Sequence, residues 1–288
     1  MVELLQQVVN ALSSASIYVI VAVGVSIVFG LSQVINIAYG DFLTLGAYVV
    51  FIVAAGGGVA FIAGFVAAAA VIGVICALLF FIVFRRTLSR PINGFLISLG
   101  LSFIIENLVQ WHYTANPITV NGANAADWDV GGVYISANRL IIIVGTVLIL
   151  ASLIYVLERT RIGVAIRAVA TDREAAGLMG APVTKIIAGV FALGGVLAGA
   201  GGAFDALLAP PYPLLGAELI LKGFICALVG GLGSVRGAIA GAVALAVVET
   251  VGVTVGLTAW LDTIEFSAVI VLLLFRPQGL IGGLQHTM

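Results

Sequence analysis

Apolar runs recur almost without pause along this 288-residue chain, and several exceed the ~18 residues needed to cross the hydrocarbon of a bilayer. That repetition leaves one class of fold. A soluble domain carries roughly 25% charged residues; here only 9% are charged and 62% are apolar, too few charges to cover a water-facing surface. Inside lipid every backbone N–H and C=O must pair within the protein, which the helix achieves alone. The expectation is an all-α polytopic membrane protein, one domain over 1–288, with roughly eight to ten transmembrane helices. Spans fall near 8–30, 40–55, 59–84, 93–112, 137–158, 185–208, 217–235, 238–257 and 259–276. The run at 40–55 is short enough to be tilted, broken or re-entrant, which a membrane tolerates only where the backbone is buried in protein.

Lys and Arg orient the spans, because positive loops stay cytoplasmic. Arg85, Arg86 and Arg90 follow the third span, Arg159, Arg161, Arg167, Arg173 and Lys185 follow the fifth, Arg236 follows the seventh and Arg276 the last. All ten fall on one face, so the N-terminus lies outside and the C-terminus inside. The opposite loop, 113–136, has no Lys or Arg; its Trp128 and Tyr134 suit a membrane interface, and it offers either a solvated connector or a docking surface for an external partner. The N-terminus lacks the basic region of a cleaved signal, so the first run is read as a retained span. A net charge of −1 gives no nucleic-acid partner, and Cys76 and Cys226, both in apolar runs, read as small buried hydrophobes rather than a disulfide or metal framework.

Chemistry-bearing motifs are few. GGLGSVRG at 230–237 is glycine-rich but has no Lys-Ser/Thr pair to reach phosphate and magnesium, so it is no P-loop. No metalloprotease helix, paired-cysteine motif or nucleophile elbow occurs, and His112 and His286 stand far apart; the expectation is no enzyme, no metal and no cofactor in this chain. The 36 glycines cluster at three- and four-residue spacing, as helices do when they pack closely in lipid.

Two sets of polar residues remain. Residues 158–185 form a charged island holding five of the twelve basic residues. Thr171, Asp172, Arg173 and Glu174 spell a capping box, with Thr171 as the helix cap and two acids at the positive end of the helix dipole. The short helix would run through Ala176 and Met179 to a cap at Gly180, with Pro182 beyond it. Upstream, Gly163 to Ala170 reads as a second short helix, and the pair forms a surface for another protein's groove. The other set lies at membrane depth, where ionisable groups mark function by default. Ser98, Ser102 and Glu106, spaced by four, make one polar stripe facing either a pathway or a neighbouring helix; Asn36, Asp41 and Asp205 complete the tentative pathway set. Glu218 and Lys222, also four apart, read as a neutralising pair on one helix face.

The stretch GLSQVINIAYGDFLTLGAYV (30–49) resembles the N-terminal signature of branched-chain amino acid ABC transporter permeases through Asn36, Gly40, Asp41, Gly46, Ala47 and Tyr48, with Tyr39 where the family often has His. The island resembles the family's cytoplasmic loop through Thr160, Gly163, Arg167, Ala168, Asp172, Ala176 and Gly180, and 230–242 and 276–282 also fit. The resemblance implies the membrane subunit of a binding-protein-dependent importer in a bacterial or archaeal cytoplasmic membrane. It would pair with a second related permease or a second copy of itself, with two cytoplasmic ATPases that hold ATP and magnesium, and with an extracytoplasmic solute-binding protein. The island, through Gly163, Arg167, Thr171, Asp172, Glu174, Ala176, Met179 and Gly180, would couple to the ATPase, which accounts for the missing P-loop. The alternatives are a urea or short-chain amide permease of the same family and, further off, an ion-coupled secondary transporter with a working acid at the midplane.

Overall fold

The computed structural model describes residues 2–54, 59–88, 90–113, 116–118, 128–130, 133–276 and 278–280. In chain order its helices are α1 (Val2–Ser32), α2 (Tyr39–Val53), α3 (Val59–Ile82), α4 (Pro91–Tyr113), α5 (Ala137–Arg159), α6 (Arg161–Thr171), α7 (Arg173–Leu178), α8 (Val183–Asp205), α9 (Leu215–Gly230), α10 (Val235–Thr254) and α11 (Leu261–Phe275). Among the described residues, α1, α3, α4, α5, α8 and α10 are each long enough to cross a membrane, and α11 becomes so with the 3-10 turn Thr258–Trp260 ahead of it, while α2 and α9 have only 15 and 16 residues. The loop between α4 and α5 carries a small antiparallel hairpin, β1 (Trp128–Val130) with β2 (Val133–Ile135); most of that loop lies outside the described residues.

The core is built around α8, which packs on α1, α2 and α3. Its glycines permit this. A Cβ on Gly199 would strike the Ala68 backbone of α3, and one on Gly46 of α2 would strike the Gly199 backbone, so three helices meet main chain to main chain. Helices α4, α5 and α11 lie at the periphery and turn large apolar residues outward, among them Phe103, Ile104, Leu148 and Leu274. In water such a belt would be an aggregation surface; in lipid it is the solvent-facing side.

Both short helices begin inside the bilayer. After α1 ends, Gln33 takes φ 56°, the Ser32 hydroxyl donates to the Val28 carbonyl at 2.7 Å and accepts from the Val34 amide at 3.2 Å, and the chain turns back upward. The Ile37 amide then donates to Ser98 Oγ at 3.1 Å. Ser98 is two turns into α4, about 10 Å along its axis, so α2 starts well below the surface. At the other side, the irregular segment 206–214 brings the chain to α9, whose Gly216 amide donates to Thr44 Oγ1 at 2.9 Å. The first turns of α2 and α9 are pressed together: a Cβ on Gly40 would collide with the Gly216 carbonyl, and one on Gly216 with the Gly40 carbonyl.

Two expectations are corrected. The run at 217–235 is not one helix: α9 stops at Gly230 because Gly231 and Gly233 adopt φ 106° and 85°, a turn that hydropathy counts as apolar chain. Lys222 does not pair with Glu218. Its ammonium lies 2.6 Å from Glu249 Oε1 on α10 and donates to the Tyr18 hydroxyl of α1 at 3.0 Å, while that hydroxyl donates to Glu249 Oε2 at 2.6 Å. Glu218 instead lies near Tyr212. Tyr212 lies in the segment between α8 and α9, and burial, then the Glu218 carboxylate, push its phenol well above its ordinary range.

Candidate functional site

A cavity of about 410 Å³ opens where α2, α4 and α9 converge. Its walls are apolar, with Ile37 before α2, Leu99 and Phe103 on α4, and Ile220, Leu221 and Phe224 on α9. Against them stand three polar side chains: Asp41 from the first turn of α2, and Ser102 and Glu106 from one face of α4. Asp41 is 2% exposed, and its Oδ2 has no hydrogen-bond partner. Ser102 and Glu106 line the same space beside it. No Lys or Arg lines the cavity. Two carboxyl groups facing one apolar space, with no cation of the chain's own beside them, form a site that an ammonium on an apolar body would complement. The first turns of α2 and α9 border it, and their positive dipole ends would favour a ligand's anionic group.

Of the pathway residues expected from sequence, the structure brings together Asp41, Ser102 and Glu106. Ser98 is buried and works as a tie, accepting from the Ile37 amide and donating to the Phe95 carbonyl at 2.7 Å. Asn36 points into a separate small void beside Val28, Tyr39 and Phe224, and its Oδ1 has no partner. Tyr39, at the position where the signature usually has His, lies against Gly24 of α1 and Gly194 of α8 and does not line the cavity. Asp205 closes α8 near Glu218, away from the cavity, with Oδ2 unpartnered. The apolar lining of α9 had no sequence signal beyond hydropathy.

The island at 158–185 folds as two short helices, with one correction. Asp172, not Thr171, is the cap of α7: its Oδ1 accepts from the Glu174 and Ala175 amides, both at 2.9 Å. Thr171 belongs to the last turn of α6, and its hydroxyl donates to the Arg167 carbonyl at 3.0 Å. Thr160 caps α6, accepting from the Gly163 amide at 3.2 Å, and Gly163 is bare because a Cβ there would meet the carbonyls ending α5. At the far end Gly180 has φ 86°, with Gly180 N–H bonded to Gly177 O and Ala181 N–H to Ala176 O, each at 3.0 Å. This paired bonding is the Schellman cap. It turns the chain sharply while leaving Leu178 and Met179 each 89% exposed, with Ala176 buried beneath them. Arg173 was not singled out from sequence. Its guanidinium donates to the Leu31 carbonyl and so ties the start of α7 to the end of α1; burial lowers its pKa. The Arg167 guanidinium likewise donates to the Leu157 carbonyl and braces α6 on α5.

Residues 7–275 match the family described as the permease component of the branched-chain amino acid transport system. The chain is 31% identical to the high-affinity branched-chain amino acid transport system permease protein BraD of Pseudomonas aeruginosa, over 96% of this chain and 95% of that protein. It is 27% identical to the permease protein LivH of Escherichia coli K12 and 28% identical to LivH of Salmonella typhimurium, with the same coverage. No solved structure matches the chain.

Proposed function

The chain belongs to the branched-chain amino acid transport permease family, and on that premise we propose that it forms the membrane path of an ABC importer that carries branched-chain amino acids inward by alternating access. The observation that carries the substrate class is the cavity at α2, α4 and α9. At about 410 Å³ it falls within the roughly 300–1,000 Å³ of small-ligand pockets. The α-ammonium of the solute meets Asp41 and Glu106, its carboxylate faces the starts of α2 and α9, and its branched side chain packs on Ile37, Phe103, Ile220 and Phe224. Urea has neither a charge for the two acids nor an apolar body for the walls, and the cavity speaks against it.

Energy comes from elsewhere. Two cytoplasmic ATPases hold ATP and magnesium, and α7 inserts its exposed Leu178 and Met179 into a cleft on one of them. Arg173 and Arg167 brace the island on α1 and α5, so a displacement at α7 is passed to those helices. A second permease, related or identical, completes the membrane path, and an extracytoplasmic binding protein delivers solute to the face bearing β1, β2 and the 206–214 segment. The site of action is the cytoplasmic membrane.

The test is ATP-driven uptake into proteoliposomes holding the full complex and its binding protein, with leucine, isoleucine, valine and urea compared. Saturable uptake of the three amino acids that stops without ATP is the expected result. Uptake that persists without the ATPase subunits, or that accepts urea and ignores leucine, overturns the proposal.

A further inference from the structure

A second cavity, of about 370 Å³, opens on the cytoplasmic side between the end of α1, the end of α5, α6 and the turn into α10. Its walls are apolar: Ile27 and Leu31 on α1, Leu157 on α5, and Ile166 and Ala170 on α6. Four polar side chains line it; Ser234 is already engaged, accepting from the Gly237 amide, and three remain. The first is Ser26, 0% exposed, whose hydroxyl has no hydrogen-bond partner. Other serines on α1 satisfy themselves locally, Ser13, Ser16 and Ser32 each donating to the carbonyl four residues back. A hydroxyl that forgoes this bond while buried is held ready for a partner that enters. The second is Arg167, whose guanidinium bonds only a backbone carbonyl and has no acidic partner among the described residues. The third is Glu158, whose Oε1 is 2.6 Å from Arg236 and whose Oε2 bonds nothing among the described residues.

A guanidinium without an acidic partner, an open carboxylate oxygen, a buried hydroxyl and an apolar wall together complement a small zwitterion with an apolar side chain. We infer that this cavity is a second site for the transported class of amino acid, reached from the cytoplasm. The carboxylate takes Arg167 in place of the Leu157 carbonyl, the ammonium takes Glu158 Oε2, and the side chain lies on Ile27, Leu31 and Ile166. The position decides the consequence. The cavity separates α6, which carries α7, from α1 and the α10 turn, so a bound amino acid wedges the connector and resists its movement. The importer is thereby slowed by its own accumulated product. This inference rests on the amino-acid reading of the transport cavity.

The experiment uses proteoliposomes of the full complex with binding protein, with leucine varied on the side facing the ATPases, and reads the initial rates of ATP hydrolysis and uptake. Leucine on that side is expected to lower both rates by at least about fivefold, the lower end of usual coupling between sites. Ser26→Leu and Ala170→Phe, which fill the cavity from opposite walls, are expected to abolish the inhibition while uptake into leucine-free vesicles stays within about twofold of the wild type. As a readout independent of those variants, alkylation of Ala170→Cys should be slowed by leucine. 4-Methyl-2-oxopentanoate, which lacks the ammonium, and isopentylamine, which lacks the carboxylate, should inhibit weakly. Rates indifferent to leucine, inhibition unchanged in both filled variants, no protection of the cysteine, or equal inhibition by either analogue would each overturn the inference. Absence of leucine uptake into empty wild-type vesicles would instead sink the transport reading itself.

Discussion

Replacing Lys222 with Met leaves the Glu249 carboxylate at membrane depth without its ammonium. The side chains of the pair are 26% and 20% exposed, so neither ion is fully solvated. Breaking a buried pair costs about 3–5 kcal/mol because it strands a charge. The Tyr18 hydroxyl still donates to Glu249, and partial exposure reduces the penalty further. The expected destabilisation of Lys222→Met is therefore about 2–3 kcal/mol, below the cost of stranding a fully buried charge. Adding Glu249→Gln removes the stranded charge, so the double variant should lose only about 1 kcal/mol. Reversible unfolding in mixed detergent micelles, run as a double-mutant cycle, measures these differences. Additive single effects, or a double variant no more stable than Lys222→Met, would refute the charge-stranding argument.

Four further outcomes follow from the geometry. Gly216→Ala should cost about 1–3 kcal/mol in the same unfolding assay, because its Cβ would fall on the Gly40 carbonyl and against Thr44 Oγ1. Asp41→Asn and Glu106→Leu should each reduce uptake by about tenfold or more with assembly intact on size-exclusion chromatography, the loss of one charge-assisted contact to the solute. Asp172→Ala should weaken α7 by about 1 kcal/mol and reduce ATPase stimulation, while Thr171→Ala leaves stimulation near the wild-type level. Gly180→Pro, incompatible with φ 86°, and Glu174→Lys, which reverses a charge at the start of α7, should abolish ATPase stimulation without loss of membrane insertion.

Much of this was legible in the chain because lipid simplifies the code. Among the described residues hydropathy located the nine apolar helices, and the brevity of the run at 40–55, read as tilted, broken or re-entrant, matches the 15-residue α2. The period-four stripe of Ser98, Ser102 and Glu106 placed two of the three polar cavity residues. What failed shares a physical cause. The i,i+4 rule could reach Glu218 from Lys222 but not Glu249 or Tyr18, which are 27 and 204 residues away and meet it only through helix packing. Thr171 and Asp172 are both good caps, and the choice fell to Asp172 because α6 runs one residue further and takes up the threonine hydroxyl. Gly231 and Gly233 looked like the end of a span because hydropathy has no term for positive φ.

The contact between Gly40 and Gly216 has a mechanical consequence. Contacts made by side chains loosen whenever a rotamer flips on the picosecond-to-nanosecond scale. Here the touching surfaces are two stretches of main chain with nothing to rotate. They part only if α2 or α9 moves as a rigid body, a collective displacement of the microsecond-to-millisecond kind. Side-chain jitter leaves the contact intact, and parting the two helices is reserved for a force that shifts them whole.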